Sequence, residues 1–145
     1  SAVTRLLELG VPYYLIRSTL IGVIAQRLIR TLCPHCLTTG SMEPEAWNEL
    51  MAPWKSAPPA VLHRPGGCLE CRQTGFLGRA GIYELLQMTP AVKQTVLPDT
   101  HTEKLRRQAF KDGMRPLRVS GLNKVVQGRT TVEEILKVTP APLLG

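Results

Sequence analysis

At 145 residues the chain is long enough for one ordinary domain with its own core. Hydrophobic residues make up 43%, aromatics only 5%, and twelve prolines with twelve glycines argue for short elements. The formal charge of +7 admits an anionic partner, but the most apolar uncharged stretch, Ser18 to Ala25, is far shorter than the roughly 20 residues of a membrane span, so neither a span nor a signal peptide is expected.

In chain order, Ala2 to Leu9 reads as a helix closed by Gly10. Pro12 suits a first helical turn, and Ile16, Leu20, Ile24 and Leu28 then recur every four residues, which predicts one core-facing helix from Tyr13 to Leu32. Pro44 to Ala52 reads as a short helix with Trp47 and Met51 on one side, ended by Pro53. Pro58-Pro59 bars regular structure, Val61-Leu62-His63 suits a short strand, and Gly66-Gly67 a turn.

Gly75 to Gly81 predicts a glycine-punctuated turn before a buried strand, Ile82 to Leu86. Thr89-Pro90 signals the start of a helix reaching Leu97. Thr100 and Glu103 have capping-box spacing for a helix through Leu105, Ala109 and Phe110 to Gly113. Pro116 to Gln127 reads as a helix stopped by Gly128, and Thr131 with Glu134 caps a last one from Val132 to Val138. Pro140 to Gly145 is expected to be loose.

All four cysteines fall in two pairs, Cys33-Pro34-His35-Cys36 and Cys68-Leu69-Glu70-Cys71, with thirty-one residues, Leu37 to Gly67, between them. Two residues between cysteines let both sulfurs face one point about 2.3 Å away, so two pairs complete a tetrahedral zinc shell. One Zn²⁺ per chain is expected, with Cys33, Cys36, Cys68 and Cys71 as ligands. It is a structural zinc, because four protein ligands leave no open position for chemistry. Such a centre is anionic, and Arg30, Arg64, Arg72 and Arg79 would sit well around it. The knob between the pairs is too small to stand without a staple.

Two other chemistries compete for the pairs. Cys-Pro-His-Cys is the central motif of strongly oxidising thioredoxin-like enzymes, which place it at a helix N-terminus; here it is expected at the C-terminus of the helix from Tyr13, where the dipole opposes a thiolate. His35, His63 and His101 are competing ligands, read as non-ligands because four thiolates already close the shell. A zinc ribbon that binds nucleic acid is the other class, but aromatics do not interleave with the basic residues, so no nucleic-acid partner is expected. The chain holds no G-x-x-x-x-G-K-[ST], H-E-x-x-H or G-x-S-x-G, and no complete catalytic constellation.

Three blocks carry a family resemblance: the run from Val11 to Pro34; Gly67-Cys68-x-x-Cys71 followed by Thr74-Gly75-Phe76-Leu77-Gly78-Arg79-Ala80-Gly81-Ile82-Tyr83-Glu84-Leu85; and Asp112-Gly113-Met114 with Lys124-Val125 and Gly128-Arg129-Thr130-Thr131-x-Glu133-Glu134. In this order the chain resembles the tetracysteine region of the type II secretion ATPases (general secretory pathway protein E) and their type IV pilus assembly relatives. The resemblance implies a P-loop ATPase, a homo-hexamer lying peripherally on the cytoplasmic face of the inner membrane. ATP turnover would drive assembly of a pseudopilus or pilus, with an inner-membrane platform protein and a cytoplasmic docking protein as partners.

Ser1 to Leu6 resembles the stretch after the family's histidine box, so all nucleotide-binding motifs would precede these residues. ATP and Mg²⁺ then belong only to the full-length protein, and this fragment is expected to be inactive alone. The implied fold is α+β, mostly helical with short strands. Residues 1–32 would end a RecA-like core, 33–72 form the zinc knob, and 73–145 a C-terminal strand and helical subdomain. Gln26 and Arg27 are candidates for lying near nucleotide, and Arg79 for a subunit contact.

Overall fold

The computed structural model describes residues 1–140. The expectation for Pro140 to Gly145 otherwise lies outside the described residues. Helices and strands are mixed: α1 (Ala2–Glu8), α2 (Tyr13–Thr19), β1 (Gly22–Leu32), β2 (Thr38–Gly40), α3 (Pro44–Met51), β3 (Leu62–Arg64), β4 (Phe76–Gln87), α4 (Pro90–Gln94), α5 (Thr102–Lys111), α6 (Leu117–Val126) and α7 (Val132–Val138). β1 pairs with β4 in one two-stranded sheet and β2 with β3 in another. Of the described residues, the chain packs as two units, one from Ser1–Ala25 with Glu84–Arg115, the other from Gln26–Tyr83 with residues 116–140.

The predicted helix from Tyr13 to Leu32 is corrected. It ends at Thr19, Leu20 is already extended (φ −75°, ψ 125°), and the next eleven-residue element is β1. A spacing of four fits a helix, but four is also an even number, so the same residues share one face of a strand. The β-branched Ile21, Val23, Ile24 and Ile29 favour the strand. Its outcome shows in burial: Ile24 and Leu28 face solvent, and the odd-numbered Ile29 is buried.

β4 brings a second correction. The glycine-rich stretch from Phe76 is strand, not turn, and of Ile82 to Leu86 only Ile82 is buried, with Tyr83 and Leu85 exposed.

In the first unit Val3, Ile16, Val92, Val96, Leu105 and Ala109 form the centre of the core. Thr89 caps α4 as its spacing indicated, accepting from the Val92 N–H at 3.1 Å. Arg17 closes the other end of that helix, donating to the carbonyls of Lys93 (2.9 Å) and Gln94 (3.2 Å). The predicted Thr100 cap does not form. His101 precedes α5 without a side-chain cap bond, and the Thr100 hydroxyl instead donates to the Thr95 or Leu97 carbonyl.

In the second unit α3 buries Trp47 and Met51 on its inner side, as the i, i+4 spacing indicated, and α6 packs against α3, β3 and α7. Thr131 caps α7 through the Glu134 N–H at 3.2 Å. The Glu134 side chain, however, does not close a capping box. It is buried and accepts from Arg30, with Nη2 at 2.6 Å, Nε at 3.2 Å and the backbone N–H at 3.3 Å. The Arg30 guanidinium also lies 4.0 Å over the Phe76 ring. The Thr130 hydroxyl donates to the Arg30 carbonyl (2.8 Å), and the Leu32 N–H to the Arg129 carbonyl (2.9 Å), so the start of α7 is tied to the end of β1.

These hydrogen bonds from Arg30 hold the Glu134 carboxyl below the usual carboxylate range, against the opposing effect of burial. A lowered folded pKa means that the stabilisation is complete above the unfolded value, about 4.3, and is lost as pH falls through the folded one. Glu134→Ala is therefore expected to cost about 2 kcal/mol in denaturant melts at pH 7. The gap to the parent protein should narrow below about pH 4. A gap that is absent at pH 7, or that widens in acid, would contradict this.

Candidate metal centre

β1 delivers the first pair. Leu32 and Cys33 are both buried at its end, and the Cys33 N–H donates to the Gly75 carbonyl at 2.9 Å. The chain turns through Pro34 and His35 to Cys36 and enters β2, which runs antiparallel to β3 with Thr38 opposite Arg64, Thr39 opposite His63 and Gly40 opposite Leu62. Continuing that register brings Gly66 beside Cys36, where a Cβ would overlap the Cys36 carbonyl oxygen. A three-residue ladder thus returns the intervening segment to its starting point and positions the second pair.

The second pair is held by an unusual turn. Arg72 (φ 56°) and Gln73 (φ 65°) are both left-handed without being glycine, a conformation that costs about 1–3 kcal/mol per residue and needs support from its surroundings. The support is visible: the Gln73 N–H donates to the Cys68 carbonyl at 2.7 Å, and the Thr74 hydroxyl to the Cys71 carbonyl at 2.8 Å. Gly75, at φ 81°, packs so closely on Pro65 that no side chain fits, and its N–H donates to Cys71 Sγ at 3.1 Å.

The four sulfurs converge. Cys33 and Cys68 Sγ lie 3.8 Å apart, Cys36 and Cys71 3.7 Å, and Cys68 and Cys71 3.7 Å, with all four within 4.8 Å of one another. Disulfides would need about 2.05 Å. A tetrahedron of sulfurs about 2.3 Å from a central ion has edges of about 3.8 Å, so the spacing fits a metal ion. Among the described residues these four cysteines are the group of His, Cys, Asp and Glu side chains so disposed.

The surroundings act differently on the two buried sulfurs. Burial opposes a charged Cys71, but the N–H groups of Cys68 and Gly75 and the neighbouring thiols outweigh it and lower that thiol to about 6. Burial raises Cys33 to about 11, the opposite direction, and contacts with the other three thiols add to it.

The other candidate residues lie elsewhere. Gln26 and Arg27 are exposed on β1, where Arg27 Nη1 donates to the Gln26 carbonyl at 2.8 Å. Arg30 is engaged by Glu134, Arg64 packs over Gly40, and Arg72 and Arg79 are exposed. His35 and His101 are exposed; His63 is half-buried, its ring against Gly128 and its Nδ1 without a partner.

Cys33 follows a strand rather than a helix, so no helix C-terminus opposes a thiolate there. Cys36 leads into β2, so no helix N-terminus faces the motif, and a second cysteine pair touches it. Sequence reasoning missed Gly66 and Gly75 as supports; glycines flanking a Cys-x-x-Cys pair were the available signal.

The model of the type II/IV secretion system protein family matches residues 1–137. The chain belongs to this family. It is 42% identical over 97% of its length to a type IV pilus assembly ATPase of Acinetobacter baylyi, of which it covers 24%. It is 41% identical over 95% of its length to the type II secretion system protein E of Pseudomonas aeruginosa, covering 27%, and 38% over 94% to a type IV pilus assembly ATPase of the same organism, covering 24%. The chain thus spans about a quarter of the length of these relatives. No helix is long and apolar enough to cross a membrane among the described residues.

Gly75→Ala tests the turn. A Cβ there meets Pro65 and the φ is unfavourable, so the N–H aimed at Cys71 must move. The expected result is a loss of metal affinity of about 10- to 100-fold in chelator competition. Unchanged affinity would show that the turn does not support the site.

Proposed function

We propose that Cys33, Cys36, Cys68 and Cys71 hold one structural Zn²⁺, and that these residues are part of an ATPase motor that powers protein secretion or pilus assembly. The observation that carries this reading is the convergence of four sulfurs at tetrahedral spacing in a chain of this family. Zinc held by four thiolates has no open position, so it supplies architecture and no reaction step. The chain's own residues do the positioning: β1 and the β2–β3 ladder bring the two pairs together, and the N–H groups of Gly67, Cys68 and Gly75 face the sulfurs.

In this reading residues 1–32 complete a RecA-like core, 33–72 form the zinc knob, and 73–145 a C-terminal subdomain. ATP and Mg²⁺ bind in a P-loop core that these residues do not contain, with Gln26 and Arg27 near its nucleotide. The whole motor is a hexamer, peripheral on the cytoplasmic face of the inner membrane, that engages a platform protein and a docking protein. Type II secretion is the leading branch and pilus assembly the alternative; relatives named for both support the reading. The knob then offers a rigid surface to a partner or a neighbouring subunit.

The reading makes two joined expectations. These 145 residues alone hydrolyse no ATP. In a longer protein that joins them to a P-loop core, replacing Cys36 and Cys71 by serine abolishes secretion or pilus output. ATP turnover by these residues alone, or full output without the cysteines, would contradict it.

A further inference from the structure

The four sulfurs are not equivalent. Cys33 and Cys71 are buried, whereas Cys36 and Cys68 are half-exposed. The hydrogen bonds divide them again. Cys71 accepts from the N–H groups of Cys68 (3.4 Å) and Gly75 (3.1 Å), and Cys36 from the N–H of Gly67 (3.2 Å). Among the described residues no backbone N–H donates to Cys68 Sγ at hydrogen-bond distance. Beside it stands Leu69, 88% exposed.

These two properties set how a metal-bound thiolate reacts. An N–H donor withdraws electron density from sulfur and must be given up as the thiolate attacks. Access limits which sulfur an outside reagent reaches. Cys33 and Cys71 fail on access and Cys36 carries a donor; Cys68 alone combines exposure with an undonated sulfur. We propose that Cys68 is the modification site of the cluster, the sulfur at which hydroperoxides and soft electrophiles open it. The inference rests on the zinc reading above.

The step with a hydroperoxide balances simply. Cys68 Sγ attacks one peroxide oxygen, an S–O bond forms, the O–O bond breaks, and hydroxide (or alkoxide) leaves. Sulfur is oxidised to the sulfenic level by two electrons and the peroxide is reduced by two. Cys33 and Cys71 sulfurs lie 3.8 and 3.7 Å away, close enough for either to displace the sulfenic oxygen as water, forming a disulfide. A sulfenate or disulfide sulfur is a poor zinc ligand, so the ion leaves and the segment between the pairs loses its staple. With N-ethylmaleimide the sulfur adds to the alkene carbon, the π bond breaks, and the adjacent carbon takes a proton from water.

The test uses the zinc-loaded protein, with zinc content measured first. It is treated with less than one equivalent of N-ethylmaleimide, and separately of hydrogen peroxide, while a chromophoric chelator reports released zinc. Singly modified molecules are then mapped by peptide mass spectrometry. Cys68 is expected to carry the maleimide about fivefold or more over Cys36, the size of effect one hydrogen bond supplies. Zinc release should follow the same time course. The variant Cys68→His keeps four ligands and removes this sulfur, and is expected to slow peroxide-driven zinc release at least as much. Zinc present with the label on Cys36, or spread evenly over the four, would overturn this inference and leave the zinc reading standing. A protein that binds no zinc would remove both.

Discussion

Four sulfurs held at one point set the terms for everything between residues 33 and 75. The segment they enclose has two three-residue strands and one short helix, and its large buried groups are few: Trp47, Met51 and Leu62. Closing a loop of this size costs chain entropy, and a ladder of three residue pairs returns little of it. The turn at Arg72 and Gln73 adds backbone strain. A structural zinc supplies an apparent ~10–16 kcal/mol in small metal-dependent domains, and a fold this thin draws on such a staple. Without an ion the same packing would crowd four thiols, two of them buried, at contact distance.

The sulfur cluster is also continuous with the unit around it. Cys33 and Gly75 share a backbone hydrogen bond, and the residues just before Cys33 are bound to the start of α7 through Glu134, Thr130 and Arg129. Phe76, directly after Gly75, is the platform for the Arg30 guanidinium. Whatever fixes the two cysteine pairs therefore fixes the end of β1 and the beginning of β4 at the same time. A partner pressing on the knob would meet a surface joined to these strands by hydrogen bonds rather than a free loop.

How much of this was legible in the sequence depends on whether a signal was local. The cysteine pairs needed only spacing, and Thr89, Thr131, Trp47 and Met51 behaved as their local patterns indicated. β1 failed because a four-residue recurrence satisfies both a helix and an alternating strand, and only its β-branched residues decide between them. Phe76 to Gly81 failed because closely spaced glycines suit a turn, while Gly78 holds its positive φ inside a strand. Thr100 and Glu134 failed for a third reason: each had the spacing of a cap, but a stronger partner, the Thr95 carbonyl or the Arg30 guanidinium, claimed the side chain. The sulfur hydrogen bonds were beyond reach, since they depend on where distant backbone amides come to rest.

The central claim is that one zinc ion sits among Cys33, Cys36, Cys68 and Cys71. X-ray absorption at the zinc edge of the purified protein tests it most directly. The account predicts one zinc per chain with four sulfur neighbours at about 2.3 Å and no nitrogen or oxygen in the first shell. A shell containing nitrogen or oxygen, or a folded protein free of zinc, would contradict it.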